Sequence, residues 1–288
     1  MYLKHHRYHT QAQNQNKADK MKLPIIDTTN TKIGEIRLPP QFNEEYRPDL
    51  IQRVVLAIQS HRRQPYAASK GAGKRASAKL SRRRRDYRTS YGYGISRVPR
   101  KIMTRRGTRM NWVGAFAPGT VGGRRAHPPK AEKIWWKKIN DKERKKSIRS
   151  AIAATISKEF VTQRGHFAPY NYPFVLDNKF ELLDKTKKVV DVLKKLGMEA
   201  ELERIENRNI RAGKGKSRGR KYKQKVGPLI IVAKTDKLNS AVANISGIDV
   251  VEVKNLNTEL LAPSGKPGRL TFWTSDAIHI LEKENLFN

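Results

Sequence analysis

Five segments of the chain carry apolar residues every three or four positions, the spacing of an amphipathic helix. The clearest is residues 48–60, where Leu50, Ile51, Val54 and Ile58 lie on one stripe. The remaining predicted helices are residues 141–160, 186–196, 238–245 and 276–283.

Polar residues and one glycine mark the expected ends of these helices. Asn140 and Glu143 have the spacing of a capping box, so the second helix should begin just after Asn140. Gly197 should end the third helix because glycine readily adopts the left-handed conformation found there. Ser275 should cap the last helix with its hydroxyl group.

Four short apolar runs predict strands, at residues 174–176, 229–233, 250–253 and 270–273. The second run, LIIVA, is apolar on both faces, which is typical of a buried parallel strand. Strands that alternate with helices in this way indicate an α/β fold. We therefore expect a three-layer α/β/α domain with a mostly parallel sheet of about four strands.

A basic segment, residues 61–125, interrupts this pattern. It holds 19 Lys and Arg but one acidic residue, Asp86, and it contains nine of the 19 glycines. We find no sustained apolar period in it, so we interpret it as a long excursion from an α/β domain formed by residues 21–60 and 126–288. A loop of this length is unusual inside a compact domain, so it should become ordered on a partner.

The net charge suggests what that partner is. The chain of 288 residues carries a formal charge of +35, with 37% hydrophobic and 30% charged residues. Repulsion within such a chain favours binding to a polyanion, and nucleic acid is the usual one. A second basic segment, residues 211–225, has eight Lys and Arg and no acidic residue.

Composition also excludes several classes of protein. The chain has no cysteine, which excludes disulfides, thiol catalysis and cysteine-ligated metal sites. No apolar run reaches the ~18 residues of a membrane span, so we expect a soluble protein without an export signal. Residues 1–20 are polar and should form a disordered tail rather than a metal site built from His5, His6 and His9, and Met21 is an alternative start.

The glycines near Lys74 do not form a phosphate-binding loop. The run Gly71-Ala72-Gly73-Lys74 would need a glycine at position 68 and Ser or Thr at position 75, where the chain has Ala68 and Arg75. No predicted strand precedes this run. We therefore do not expect nucleotide binding.

The sequence also shows no group of residues with the spacing typical of a catalytic site. A metal-dependent nuclease needs clustered carboxylates, but Asp86 stands alone in the basic segment and is better explained as a partner of nearby arginines. His127, His166 and His279 have no acid or nucleophile at an informative spacing, so we interpret each as structural or RNA-facing. Trp135 and Trp136, which lie among lysines, are suited either to stacking on bases or, for at least one of them, to packing on a helix surface.

Several motifs give the chain a resemblance to the universal large-subunit ribosomal protein L-four family, in its archaeal and eukaryotic form. The motifs are SKGAGK at 69–74, YGYGISRVPR at 91–100, GAFAP at 114–118, GGRRAHPPK at 122–130, IRSAIAAT at 148–155 and RGH at 164–166. The resemblance runs from about residue 21 to about residue 280. The chain departs from the family in residues 1–20 and lacks the long basic carboxy-terminal extension of eukaryotic members, which favours the archaeal type.

The resemblance implies a function in the ribosome. It implies an α/β/α domain, a basic internal loop that penetrates large-subunit rRNA, and a loop tip near residues 107–116 that lines the nascent-peptide tunnel. Its implied partners are large-subunit rRNA, neighbouring ribosomal proteins and the nascent polypeptide. We expect a cytoplasmic protein without cofactor, metal, membrane contact, homo-oligomer or catalysis of its own.

The basic segments and the resemblance together give candidate contact residues. Arginine pairs with phosphate and stacks on bases, glycine allows close approach, and aromatic rings stack on unpaired bases. The candidates for rRNA binding are Lys70, Lys74, Arg75, Arg82, Arg83, Arg84, Arg85, Tyr91, Tyr93, Arg97, Arg100, Arg105, Arg106, Arg124, Arg125, His127, Lys214, Lys216, Arg218 and Arg220. Those for the tunnel tip are Arg109, Met110, Asn111, Trp112 and Val113.

Two other functions remain as alternatives. An RNA-modifying enzyme on a Rossmann-like sheet would need a glycine-rich turn after its first strand. The run that follows residues 174–176 is Asp177-Asn178-Lys179, which contains no glycine. A chromatin-type DNA-binding protein would bind duplexes without preference for RNA.

Overall fold

The computed structural model describes residues 21–288, and contacts within the chain divide it into two units. The larger unit comprises the residues up to His61 together with Lys137–Asn288, and the smaller unit is Arg62–Trp136. The predicted tail at residues 1–20, with its three histidines, lies outside the described residues.

Strands and helices alternate along the larger unit, and the third and fourth strands of the chain belong to the smaller unit. In chain order the strands are β1 (Lys22–Ile26), β2 (Lys32–Arg37), β3 (Arg100–Arg106), β4 (Arg109–Gly114), β5 (Val175–Leu176), β6 (Asn209–Ile210), β7 (Tyr222–Lys223), β8 (Leu229–Val232), β9 (Asp249–Glu252) and β10 (Thr271–Thr274). The helices are α1 (Pro48–His61), α2 (Asp141–Ile156), α3 (Lys158–Gln163), α4 (Thr186–Lys195), α5 (Glu199–Glu206), α6 (Asp236–Val242), α7 (Thr258–Leu261) and α8 (Ser275–Lys283).

The main sheet of the larger unit is mixed and has the strand order β2-β1-β5-β10-β8-β9. Its neighbours run parallel except β1 and β2, which form an antiparallel pair. The α/β class and the four predicted strands, found as β5, β8, β9 and β10, are confirmed. The expected number of about four strands is wrong, because residues 21–288 place six strands in this sheet.

The two missed strands, β1 and β2, give a weak signal in sequence. Pro24 interrupts β1 and lies opposite Glu35 of β2, before the pairing of β1 with β5 begins at Ile25. Only Ile36 of β2 is buried, since this strand lies at the edge of the sheet and its other residues are exposed or half-buried. Neither strand therefore shows the continuous apolar run of a central strand.

Two separate apolar clusters cover the two faces of the sheet. Leu229 and Ile231 of β8 belong to one cluster, which contains residues of α1, α2 and α8. Ile230 and Val232 belong to the other, with residues of α3, α4, α5 and α6. Successive side chains of a strand point to opposite faces, so this division demonstrates the three-layer arrangement.

The helix ends differ in part from the prediction. The predicted helix 141–160 is broken at Ser157, whose extended backbone (ψ 112°) separates α2 from α3. Helix α2 begins at Asp141 as expected, but the Asn140 side chain makes no capping hydrogen bond, so the predicted capping box is wrong. Gly197 does end α4: its φ is +80°, and Met198 N donates to Leu193 O at 3.1 Å.

The cap of α8 comes from a distant part of the chain. Asn178 Oδ1 accepts a hydrogen bond from the Asp276 backbone N–H at 3.0 Å and another from the Ser275 hydroxyl at 2.6 Å. Ser275 is therefore the first residue of the helix and not its cap, which corrects the prediction. The sequence separation of 97 residues explains why a local pattern did not reveal this contact.

The larger unit places the two ends of the basic excursion side by side. Lys137 N donates to the Ser60 hydroxyl oxygen at 3.1 Å, and His61 Nε2 donates to Lys137 O at 3.2 Å. The chain thus leaves and re-enters the larger unit at one place. Within residues 21–288, no helix is long and apolar enough to cross a membrane.

Candidate nucleic-acid interface

The smaller unit has many cations and almost no apolar interior. Arg62–Trp136 contains 21 Lys and Arg against two acidic residues, Asp86 and Glu132. Ala115 is the only hydrophobic residue of this unit that is buried. Three shielded polar atoms, Arg88 Nε, Ser90 Oγ and Trp135 Nε1, find no hydrogen-bond partner among the described residues. This unit has little with which to stabilise itself.

A β-hairpin lies in the middle of the smaller unit. Strands β3 and β4 pair antiparallel, with Ile102 opposite Trp112, and they are joined at Gly107, whose φ is +57°. The sequence analysis did not predict these two strands, although residues of β4 alternate between exposed and half-buried. Glycine accepts the positive φ of the turn without steric cost.

The uncharged residues of β4 lie beside cations of β3. Met110 lies opposite Arg105, and Val113 lies opposite Lys101, so the basic strand β3 runs beside them. The predicted tip residues Arg109, Asn111 and Val113 are exposed, whereas Met110 and Trp112 are half-buried. The hairpin therefore presents alternate residues of β4 to solvent.

The four-arginine run Arg82 to Arg85 is exposed, and the neighbouring Asp86 lies in a turn. A hydrogen bond from the Ser81 hydroxyl lowers the pKa of Asp86, and the positive charge of Arg83 adds to this effect. The Asp86 carbonyl also accepts a hydrogen bond from Thr89 N at 3.1 Å. Asp86 thus mainly shapes the backbone, and the arginine side chains remain available to an anionic ligand.

Cations lie beside aromatic rings at several places in the smaller unit. The Cζ atoms of Arg88 and Arg105 both lie 5.0 Å from the ring centroid of Tyr87, and Arg100 Cζ lies 5.3 Å from that of Trp112. Such cation–π contacts hold guanidinium groups in place without neutralising their charge.

Two of the motifs that carry the resemblance meet in space. A Cβ atom on Gly73 would lie 2.5 Å from the Cα atom of Arg124, so the GAGK and GGRR segments touch through their backbones. Ala68 N donates to Pro129 O at 3.2 Å and extends this contact. The predicted candidates Lys74, Arg75 and Arg124 are therefore brought together by a glycine that no other residue can replace without displacing the backbone.

Most of the predicted RNA-binding residues of the smaller unit are exposed, and only Arg100 and Arg124 are half-buried. The exposed ones are Lys70, Lys74, Arg75, Arg82, Arg83, Arg84, Arg85, Tyr91, Tyr93, Arg97, Arg105, Arg106, Arg125 and His127. Sequence reasoning did not select Arg63, Tyr66 and Tyr87, although each is exposed beside a ring or a cation.

The second basic segment belongs to the larger unit. Strands β6 and β7 pair antiparallel, and Arg211 N donates to Lys221 O at 2.8 Å, which closes a hairpin. Its connecting loop carries four exposed cations, Lys214, Lys216, Arg218 and Arg220.

One of the three histidines interpreted as structural or RNA-facing has an acidic partner. His166 Nδ1 lies 2.7 Å from Glu201 Oε1, and Arg204 donates two hydrogen bonds of 2.7 Å to the same carboxylate. Burial raises the pKa of Glu201, but the hydrogen bonds from Arg204 and His166 outweigh this and leave it below its ordinary value. His166 therefore has an acidic partner that lies 35 residues away and that sequence spacing did not reveal.

This buried group is structural. The side chains of His166 and Glu201 are 3% and 0% exposed, so no substrate can reach them. Glu201 Oε2 accepts from Phe167 N at 3.0 Å, and Arg204 Nη2 donates to Val226 O at 2.7 Å. The contacts of Glu201 hold α5 against the RGH motif and Phe167. The hydrogen bond of Arg204 holds α5 against Val226, which precedes β8. Among residues 21–288, no cluster of histidine and acidic side chains has the geometry of a metal site.

The carboxyl ends of the central parallel strands are filled by the chain itself. Glu181 Oε1 accepts from Ala233 N at 2.9 Å and from the Thr274 hydroxyl at 2.5 Å, and Asn178 occupies the amino end of α8. In open α/β sheets this edge is where cofactors usually bind. Here side chains take the hydrogen bonds that a phosphate group would need.

Comparison with known proteins gives the same relatives for nearly the whole chain. The model of the ribosomal protein L4/L1 family matches residues 36–284. The chain is 52% identical over 268 residues to the large ribosomal subunit protein uL4 of Nanoarchaeum equitans, covering 93% of this chain and 100% of that protein. It is 44% identical over 265 residues to the uL4 proteins of Archaeoglobus fulgidus (91% and 98% covered) and Methanospirillum hungatei (92% and 100% covered).

Proposed function

Because the chain belongs to the ribosomal protein L4/L1 family, we propose that it is a structural protein of the large ribosomal subunit. It binds large-subunit rRNA, supports assembly of the subunit and contacts neighbouring ribosomal proteins there. Its place is the ribosome in the cytoplasm.

The observation that carries this proposal is the contrast between the two units. The larger unit holds both apolar clusters, whereas the smaller unit has 21 cations, two acids and one buried hydrophobic residue. Ordering a residue costs about 1–2 kcal/mol in backbone entropy, which burial of Ala115 cannot offset. RNA phosphates supply the missing stabilisation, since each contact releases a counterion.

Different parts of the excursion make different contacts with RNA. The arginines from Arg82 to Arg85 and the paired segments around Gly73 and Arg124 hold phosphates, and Tyr91 and Tyr93 stack on bases. Lys214, Lys216, Arg218 and Arg220 form a second attachment on the larger unit. Two copies of a chain with a charge of +35 repel each other, so the protein enters the subunit as a monomer.

The hairpin β3–β4 is the part of the loop that approaches the nascent polypeptide. Two exposed uncharged residues of β4, Asn111 and Val113, line the tunnel, while the basic strand β3 remains against rRNA. Photocrosslinkers at these positions should label a stalled nascent chain on the ribosome, and one at half-buried Trp112 should label it less. Crosslinks to RNA alone, from both positions and with several chain lengths, would refute the tunnel role.

Peptide-bond chemistry belongs to the RNA in this proposal, and the protein performs no catalysis. In support, Glu181 and Asn178 fill the edge of the sheet where an RNA-modifying enzyme on this fold would hold its cofactor. The hydrogen-bond donors that such a cofactor would need at the ends of β8 and β10 and at the start of α8 are therefore already taken by side chains of this chain.

Binding to large-subunit rRNA at a series of salt concentrations tests the proposal. If about half of the cations in residues 61–125 meet phosphates, log K should fall against log salt with a slope of about −6 to −9. The protein should also remain with large subunits through a high-salt wash. A slope shallower than about −3 would show that this segment is not the electrostatic anchor.

A further inference from the structure

The two ends of the smaller unit run side by side. Besides the hydrogen bond from Ala68 N to Pro129 O, the close approach of Gly73 to Arg124 fixes their spacing. Lys133 N donates to Lys130 O at 3.3 Å and turns the returning segment. These backbone contacts bring residues 63–66 opposite residues 125–135, which are distant in sequence.

An aromatic pair forms where these segments meet. The ring centroids of Tyr66 and Trp135 are 6.1 Å apart, and the ring planes differ by 21°. Arg63 Cζ lies 3.9 Å and Lys133 Nζ lies 4.5 Å from the centroid of the Trp135 ring. Tyr66 is 55% exposed, so it is the solvent-accessible end of this stacked group.

The pair opens into a groove of about 550 Å³, bordered by three cations, Arg125, Lys130 and Lys133, together with His127 and one acid, Glu132. This volume lies within the range of about 300–1,000 Å³ that is usual for small-ligand sites. The floor is aromatic and the rim carries cations, a combination that suits a flat base attached to a phosphate.

The Trp135 indole provides a further, independent indication. Its Nε1–H group is shielded and has no acceptor among residues 21–288. A shielded donor without an acceptor is costly, so this arrangement is incomplete in the free chain. RNA offers acceptors in its phosphates, 2′-hydroxyl groups and base edges.

We propose that Tyr66 and Trp135 form a stacking site for an unpaired RNA base, with the phosphates of that nucleotide and its neighbours held by Arg125, Lys130 and Lys133. This inference rests on the proposed function, since its ligand is RNA. The base must be unpaired because both faces of a base inside a duplex are covered by its neighbours. The site adds a contact that depends on shape to an interface otherwise based on charge.

The test compares single-stranded and duplex RNA by fluorescence anisotropy, with a 12-nucleotide adenylate strand and a 12-base-pair duplex as probes. Tyr66→Ala should raise the Kd for the single strand about 5- to 150-fold, and Tyr66→Phe, which keeps the ring, should bind like the unmodified chain. Tyr170→Ala is the matched control, because Tyr170 is exposed and has Lys158 Nζ 5.4 Å from its ring centroid, but it belongs to the larger unit. The duplex should bind all four proteins equally.

The salt dependence distinguishes this site from the proposed function. Tyr66→Ala removes no charge, so the slope of log K against log salt should stay as in the unmodified chain. Equal affinity of Tyr66→Ala and the unmodified chain for the single strand, with steep slopes in both, would overturn the stacking site and leave the rRNA-binding function intact. If the unmodified chain does not bind large-subunit rRNA at all, the proposed function fails and the site fails with it.

Discussion

Excision of the smaller unit should leave the larger unit folded. In the variant, a six-residue Gly/Ser linker replaces Arg62–Trp136, so that His61 is joined to Lys137. A linker of this length spans up to about 20 Å when extended. Since His61 Nε2 already lies 3.2 Å from Lys137 O, the linker closes the gap without strain.

The structure sets the size of the expected change in stability. Both apolar clusters consist of residues of the larger unit, so the excision opens no cavity in either of them. Shortening an unstructured loop from 75 residues to six halves its length between three and four times. Each halving lowers the entropic cost of closing the loop by about 0.6 kcal/mol. The free energy of unfolding should therefore rise by about 2 kcal/mol, which corresponds to a Tm about 4–8 °C higher.

The assay is thermal and urea unfolding of the full chain and the excised variant, followed by far-UV circular dichroism without RNA. Ile231→Asp in the excised variant is the control, because Ile231 is fully buried in β8 and a carboxylate there would have no partner. That double variant should show no cooperative transition. A normal transition would mean that β8 does not lie in the core.

One result would refute the reasoning behind the excision. If the variant loses more than about 2 kcal/mol of stability, or unfolds without cooperativity, the larger unit depends on the excised residues for its fold. The same variant should lose most of the salt dependence of rRNA binding, because most of the proposed phosphate contacts belong to the 21 Lys and Arg of the excised unit. The cations of residues 211–225 remain and should account for the rest. An unchanged slope would place the phosphate contacts elsewhere on the chain.

Three further outcomes follow from the structure. Arg83→Ala and Arg84→Ala should each reduce the salt slope by about 0.7–0.9 if each contacts a phosphate, and unchanged slopes would argue against such contacts. Hydrogen exchange at residues 82–106 should be fast in the free chain and slow on rRNA, because an isolated hairpin such as β3–β4 is marginal in water; strong protection without RNA would contradict this. Glu201 has a lowered pKa when folded, so its contribution to stability is present above the ordinary value of 4.5 and is lost as the pH falls below it. Glu201→Gln should cost about 3 kcal/mol at pH 7, by urea unfolding, and should flatten this pH dependence.

The fold was largely predictable where burial leaves a periodic pattern. The stripe of Leu50, Ile51 and Val54 predicted α1, and the run at residues 229–233 predicted β8, because both face an apolar cluster. The edge strand β2 was missed since only one of its residues is buried. The break at Ser157 was missed because the apolar spacing continues from α2 into α3.

Contacts between distant segments could not be predicted from local spacing. His166 and Glu201 are 35 residues apart, and Asn178 reaches a helix that begins 97 residues later. The residues next to His166 and to Asn178 in sequence do not indicate these partners. The pairing of Tyr66 with Trp135 belongs to the same class, since it arises from the antiparallel approach of two segments.

The candidate interface was predictable as a region but not as a set of contacts, and the reason is physical. Charge accumulates in residues 61–125 without a compensating acid, and that imbalance is visible in sequence alone. The position of each guanidinium group, in contrast, depends on what lies opposite it, and for exposed groups such as Arg82 to Arg85 that partner is outside the chain. Where the chain supplies the partner itself, as Tyr87 does for Arg88 and Arg105, the structure fixes the side chain. The cations that the chain leaves unfixed are therefore the ones that RNA should order. Substitution of exposed Arg83 or Arg84 should affect the salt slope more than substitution of Arg88, because Arg88 is half-buried and less accessible to a phosphate.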